Sequence, residues 1–131
     1  MADSPADVVR ACIEAWLAGD FERSLSYYAE DAVWQTGGAD ATVRRGPGGV
    51  TRGMEEWVGA FSDYWLEVDE LIEAGDRVLM LGHEGGVGKA SGVRVSEEAA
   101  MLFTVEDGLI TSACGFAEHA AGFAAAGIEP R

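Results

Sequence analysis

Positive charge is scarce in this chain. Nine Lys and Arg stand against 23 Asp and Glu, a formal net charge of −14 over 131 residues. No basic face can be assembled from so few cations, which excludes DNA, RNA and an anionic membrane surface as partners. The plainest use of such an acidic surface is solubility. Cysteine is scarce too: Cys12 and Cys114 are the two in the chain, too few for a disulfide framework or a cysteine zinc site. Both sit among apolar residues, so reduced thiols packed in a core, in a cytoplasmic protein, are expected. Long apolar runs are missing. The stretch from Ala120 to Ile128 falls far short of the roughly 20 residues a bilayer-spanning helix needs. Met1-Ala2-Asp3-Ser4 lacks the basic start and apolar run of a secretory signal. Cofactor motifs are absent as well. Gly86-Val87-Gly88-Lys89-Ala90 resembles a phosphate loop, but His83 stands where its first glycine belongs and Ala90 where its hydroxyl belongs. His83-Glu84 begins a zinc-protease motif, but Val87 replaces the second histidine. No cofactor and no metal is expected.

What remains is one globular domain, residues 1–131, with 48% apolar and 24% charged residues. Ser4, Pro5 and Asp7 make a helix start, and Val9, Cys12, Ile13, Trp16 and Leu17 form one apolar stripe up to Gly19. Asp20 caps a short second helix with Phe21, Leu25 and Tyr28. Ala32–Thr36 reads as a strand broken at Gly37-Gly38, with a short return at Thr42-Val43-Arg44. After a turn at Gly46–Gly49, a third helix carries Val50, Met54, Trp57, Val58 and Phe61 on one face. The period then changes to two. Tyr64–Ala74 puts Tyr64, Leu66, Val68 and Ile72 on one side, with Glu67, Asp69 and Glu73 on the other. Arg77–Gly88, Val93–Val105 and Leu109–Ala117 follow as strands, with a hairpin at Glu106-Asp107-Gly108 and a closing helix around Phe123 that ends at Gly127. Helices first and hairpin-linked strands later make an α+β fold.

Several phrases resemble the SnoaL-like group of the nuclear-transport-factor-two-like superfamily. They are Trp16-Leu17-Ala18-Gly19-Asp20, Tyr28-Ala29-Glu30-Asp31-Ala32-Val33-Trp34, Glu73-Ala74-Gly75-Asp76-Arg77-Val78 and Phe103-Thr104-Val105-Glu106-Asp107-Gly108-Leu109-Ile110. The resemblance implies a cone-shaped barrel of a curved, mainly antiparallel sheet wrapped around N-terminal helices. It also implies a pocket at the open end and a homodimer through the outer face of the sheet. It does not settle chemistry, because such folds host enzymes and binding proteins alike. The ketosteroid isomerases of the superfamily need a tyrosine, a carboxylate base and a protonated acid, and these positions fall at Cys12, Thr36 and near Met101. All three groups are lost. The Asp-Arg-Asp arrangement of limonene epoxide hydrolases has no counterpart either. The SnoaL-type cyclases use an acid near the end of the last strand with a histidine nearby, and this resemblance brings forward Glu118 and His83.

The residues themselves add His119, the second of two histidines, as a base tunable near neutral pH. By superfamily registration Leu79, Leu81, His83 and Gly85 point into the cone, and Val78, Met80, Gly82 and Glu84 away from it. Whether Glu118 or His119 faces inward stays open, since one bulge would exchange them. Large rings come from every element around the cavity. Trp16, Tyr28, Trp34, Trp57, Phe61, Met101 and Phe103 are the expected contacts of a small hydrophobic ligand. Three functions stand open: binding of an apolar or aromatic metabolite, a cofactor-independent cyclase or isomerase working by acid/base proton transfer, or an accessory domain whose rings fill the cone.

Overall fold

The computed structural model describes residues 3–36 and 42–130; the expected break at Gly37-Gly38 lies outside them. The elements are α1 (Pro5–Leu17), α2 (Phe21–Leu25), β1 (Tyr28–Thr36), β2 (Val43–Arg45), α3 (Gly46–Gly59), β3 (Phe61–Ala74), β4 (Arg77–Gly88), β5 (Arg94–Glu106), β6 (Leu109–Phe116) and α4 (His119–Ala126). Ser4 and Asp7 close a reciprocal capping box at the start of α1, and Asp20 caps α2. Gly127, at φ 69°, ends α4 in the left-handed conformation. Three boundaries differ most from expectation: Tyr28 opens β1 rather than belonging to the second helix, α3 begins at Gly46 rather than after the turn, and Phe61 opens β3 rather than closing the helix.

The six strands form one sheet in the order β2-β1-β6-β5-β4-β3. All pairings are antiparallel except β1 with β6. The sheet is curved and does not close, which gives the expected α+β cone. No helix among the described residues is long and apolar enough to cross a membrane.

Two apolar clusters lie on the two faces of this sheet. Inside, Val8, Val9 and Cys12 of α1 pack with Tyr28, Trp34, Val78, Met80, Phe103 and Ile110. Outside, Phe123 and Ala126 of α4 pack on Ile72, Leu79, Leu81 and Ala100. The second cluster corrects the expected orientation of β4. Val78, Met80 and Glu84 face the helices that fill the cone; Leu79, Leu81 and His83 face outward. Apolar residues occupy both faces at 78–81 because α4 covers the outer one, so hydrophobicity alone does not choose the register.

Bulges shift the alternation elsewhere. Val68 pairs with Gly82 and Glu70 with Leu81, so Asp69 is an extra residue on β3. Beyond it Ile72 joins the outer cluster, away from Val68. Thr111 is likewise extra between Ser112, paired with Thr104, and Ile110, paired with Val105, and Ile110 turns into the inner cluster.

Candidate functional site

The inner face of β4 and β5, roofed by α1 and α3, encloses a cavity of about 100 Å³. Its walls are mostly apolar: Ile13, Trp16, Trp34, Met54, Trp57, Leu66, Met80, Met101 and Phe103. A groove of about 320 Å³ between α2 and α3 shares Trp16, Ser24, Met54 and Val58 with it. A dry apolar cavity of about 150 Å³ takes one benzene ring, so the inner space is on the scale of a single ring.

Within this wall stands one carboxylate. Glu84 is 4% exposed, and Trp57 Nε1 donates to its Oε1 at 2.8 Å. The Tyr64 hydroxyl donates to the same oxygen at 2.6 Å. Both bonds end on Oε1, and no described donor reaches Oε2. The two donors need different explanations. Trp57 sits near the end of α3, on the face turned to the cone. Tyr64 is delivered by a bulge: Ser62 pairs with Val87 and Trp65 with Gly85, so Asp63 and Tyr64 together oppose Gly86. Asp63 takes φ 53° and Gly86 φ 154°. A Cβ at Gly86 would come within 2.8 Å of the Ser62 carbonyl oxygen, which makes glycine necessary there. Trp16 then packs edge-on to Tyr64, centroids 5.8 Å apart, and fixes the ring. Burial, and then the neighbouring Glu84, hold the Tyr64 phenol well above its ordinary pKa, so it stays a donor.

The other end of the cavity is neutral. Cys12 Sγ and Ser24 Oγ lie 3.3 Å apart, and Ser24 Oγ donates to the Cys12 carbonyl at 3.0 Å. Burial pushes the Cys12 thiol up, which keeps it from acting as a nucleophile. The Tyr28 hydroxyl, beside that thiol, is also pushed up, by burial first and by Cys12 second. Tyr28 Oη and Trp34 Nε1 are buried without a hydrogen-bond partner of ordinary geometry. Trp34 lies against Gly53, where a Cβ would strike its ring. The helix thus comes close to the sheet only because that position is bare.

Of the seven residues expected at a ligand, six line the cavity: Trp16, Tyr28, Trp34, Trp57, Met101 and Phe103. Phe61 does not; it packs on Tyr64 from the start of β3, centroids 6.0 Å apart. Cys12, Thr36 and Met101, where the isomerase groups would fall, are all in the wall, and none of them carries a phenol or a carboxyl group. The expected acid/base residues lie elsewhere. His83 is on the outer face, its Nδ1 2.6 Å from Asp69 Oδ2. His119 opens α4 with Nε2 2.8 Å from the Gly82 carbonyl oxygen, also outside the cone. Glu118 occupies the N-cap position of α4 without a side-chain bond and is exposed. The structure brings His83 and His119 together, but away from the cavity. Sequence reasoning missed Glu84. The available signal was a lone carboxylate in a strand apolar on both faces.

Comparison with known proteins agrees with this architecture. Residues 9–113 match the SnoaL-like domain family. An NTF2-like protein from Burkholderia thailandensis superposes with TM-score 0.81 at 21% identity, covering 98% of this chain and 99% of that one. TerC, co-crystallized with polyporic acid, superposes with TM-score 0.75 at 22% identity, covering 90% and 95%. A protein with a ketosteroid isomerase-like fold from Catenulispora acidiphila, in complex with trimethylamine, gives TM-score 0.73 at 18% identity, covering 97% and 96%. At these identities the likeness is one of fold. No curated protein matches the chain. A family match over most of the sequence, on a cone of this topology, makes the chain a member of the SnoaL-like domain family.

Proposed function

We propose that the protein binds a small apolar or aromatic molecule in the cone and orients it by one polar group directed at Glu84. The observation that carries this reading is the Glu84 carboxylate, buried in an apolar wall with both protein hydrogen bonds on Oε1. Its Oε2 is an acceptor in a water-poor site, where a donor on the ligand gains more than it would in water. The ring of the ligand lies among Trp34, Met101 and Phe103, and the rest extends toward the groove between α2 and α3. TerC was co-crystallized with polyporic acid and the Catenulispora acidiphila protein is in complex with trimethylamine, so neighbours of this fold take small organic molecules. The rings line a cavity rather than filling it, which argues against the accessory-domain reading. By family resemblance the working unit is a cytoplasmic homodimer joined through the outer face of the sheet, and light scattering at micromolar concentration tests that assembly.

The test uses two probes of nearly equal size, phenol with a donor and toluene without one. Trp16, Trp34 and Trp57 line the cavity, so their fluorescence reports occupancy. Phenol binds at least about tenfold tighter than toluene, and Glu84→Gln removes that preference because its amide no longer supplies an anionic acceptor. Equal affinities in the unmodified protein overturn the reading.

The free Oε2 also favours a second reading, cofactor-independent proton transfer of the isomerase or cyclase kind. Here Glu84 replaces the expected His83, Glu118 and His119 as the base. Oε2 would take a proton from an activated C–H and return it to another carbon of the same ligand. Deuterium uptake from solvent into a small β,γ-unsaturated cyclic ketone, abolished by Glu84→Gln, supports it; no exchange above the buffer rate rejects it.

A further inference from the structure

The outer face of the sheet carries a second constellation unrelated to the cavity. Asp69, His83 and His119 each present a ligand atom within 4.8 Å of the others. The histidine rings meet edge to face, centroids 5.4 Å apart. Asp69 reaches His83 because it is the extra residue of the β3 bulge, and Glu98 is the cross-strand partner of His83 on β5. His119 arrives from the first turn of α4. Four elements therefore converge on one point.

Hydrogen bonding leaves these groups arranged as a metal needs them. His119 Nε2 faces the Gly82 carbonyl oxygen at 2.8 Å, so it must carry its hydrogen there, and a neutral ring then has its lone pair on Nδ1. Glu98 is held by the His119 backbone N–H on Oε1 at 2.9 Å, and its Oε2 lies 3.9 Å from His119 Nδ1. Two acceptors facing each other at that distance repel unless a cation or a proton stands between them. His83 Nδ1 stands 2.6 Å from Asp69 Oδ2, and an ion held by both takes the place of the proton they share. A backbone carbonyl or carboxylate on the far nitrogen is the usual support of a ligating imidazole. A pair of Asp69 and His83 alone would be an ordinary surface contact; the second imidazole and the oriented carboxylate distinguish this one.

We propose that Asp69, His83 and His119, with Glu98 beside them, bind a divalent transition-metal ion of the zinc type. Imidazole with carboxylate suits zinc, nickel, cobalt or copper better than magnesium or calcium. Tetrahedral ligands at about 2.0–2.2 Å from zinc stand about 3.3 Å apart. The cluster therefore contracts modestly around the ion, which side chains that are 43% exposed at His83 and 39% at Asp69 in the single chain allow; in a homodimer joined through this face the ion would lie at or beside the seam. The bound ion ties the start of α4 to β3 and β4. Sequence spacing gave no sign of it, because the ligands come from separate elements and one depends on a bulge.

The experiment uses the full, untagged chain, stripped with chelator and titrated with zinc, nickel or cobalt chloride alone. One ion binds per chain, cobalt gives visible absorption of a nitrogen- and oxygen-ligated site, and saturating zinc raises Tm by about 5 °C or more. His83→Gln and His119→Gln each weaken binding at least about tenfold while folding as the parent does, judged by circular dichroism. Glu84→Gln leaves metal binding unchanged, which separates this site from the cavity. Absence of any Tm shift, or an equal shift in the His83→Gln/His119→Gln double variant, overturns the proposal. Should a histidine variant misfold, Asp69→Asn read by cobalt absorption supplies the same decision.

Discussion

His83 and Glu84 are neighbours in β4, yet they lie in opposite environments. The histidine stands on the outer face, 43% exposed, paired to an aspartate that is 39% exposed. The glutamate stands on the inner face, 4% exposed, with two donors on one oxygen. Solvent screens the first pair, whose worth as an ion pair is at most about 1 kcal/mol. The second group sits where an unmatched polar atom costs about 1–3 kcal/mol. One strand therefore holds an adjustable surface cluster on one side and a fixed, costly carboxylate on the other. The contrast separates two kinds of site: a carboxylate buried away from water is held by fixed partners, whereas an exposed cluster can adjust around what it binds.

Substitutions can break the comparison. The largest effect belongs to the inner core itself, where Phe103→Ala at a 2% exposed site costs about 3–5 kcal/mol in urea unfolding. Next comes Glu84→Ala, which leaves Trp57 Nε1 and the Tyr64 hydroxyl without their acceptor and costs about 1–3 kcal/mol by the same measurement. His83→Ala, one residue away, costs less than about 1 kcal/mol in the metal-free protein. If the two adjacent alanine variants are equally destabilised, the contrast between the faces is wrong.

Alkaline titration gives a smaller effect, and it sharpens the same contrast. Burial raises Cys12 above its ordinary value of 9.0 and Tyr28 and Tyr64 above 10.0. The folded chain then keeps protons that the unfolded chain releases. Their contribution is complete below the ordinary values and is lost as pH rises past them toward the folded ones. Denaturation midpoints should fall between about pH 8 and pH 11, and Tyr64→Phe should make that fall shallower. The three groups belong to the cavity side, so the His83→Ala variant should keep the parent's slope.

The order of elements was legible in the sequence because helix caps, turn glycines and the change of period mark it locally. Ser4 and Asp20 cap their helices with their own side chains, and Gly75 and Gly127 turn the chain in the left-handed conformation. The cavity aromatics were legible for a related reason, since large rings on elements that surround a cone have few other places to go. The faces of the strands were not legible. β4 is apolar on both sides because α4 covers the outer one, and the extra residues at Asp69 and Thr111 reverse the alternation beyond them. One such reversal in reasoning puts His83 in the pocket and Glu84 outside it. Tyr64 faces the cone with Leu66 and Val68 as the alternation gives it, but its bond to Glu84 was not legible while Glu84 was read as pointing outward.

A crystal structure of the protein with phenol tests the central claim most directly. The phenol oxygen should lie within hydrogen-bonding distance of Glu84 Oε2, about 2.5–3.0 Å, with its ring against Trp34 and Phe103. A phenol found only in the groove between α2 and α3, or one in the cone with its oxygen turned away from Glu84, would contradict the assignment of that carboxylate as the anchor of the site.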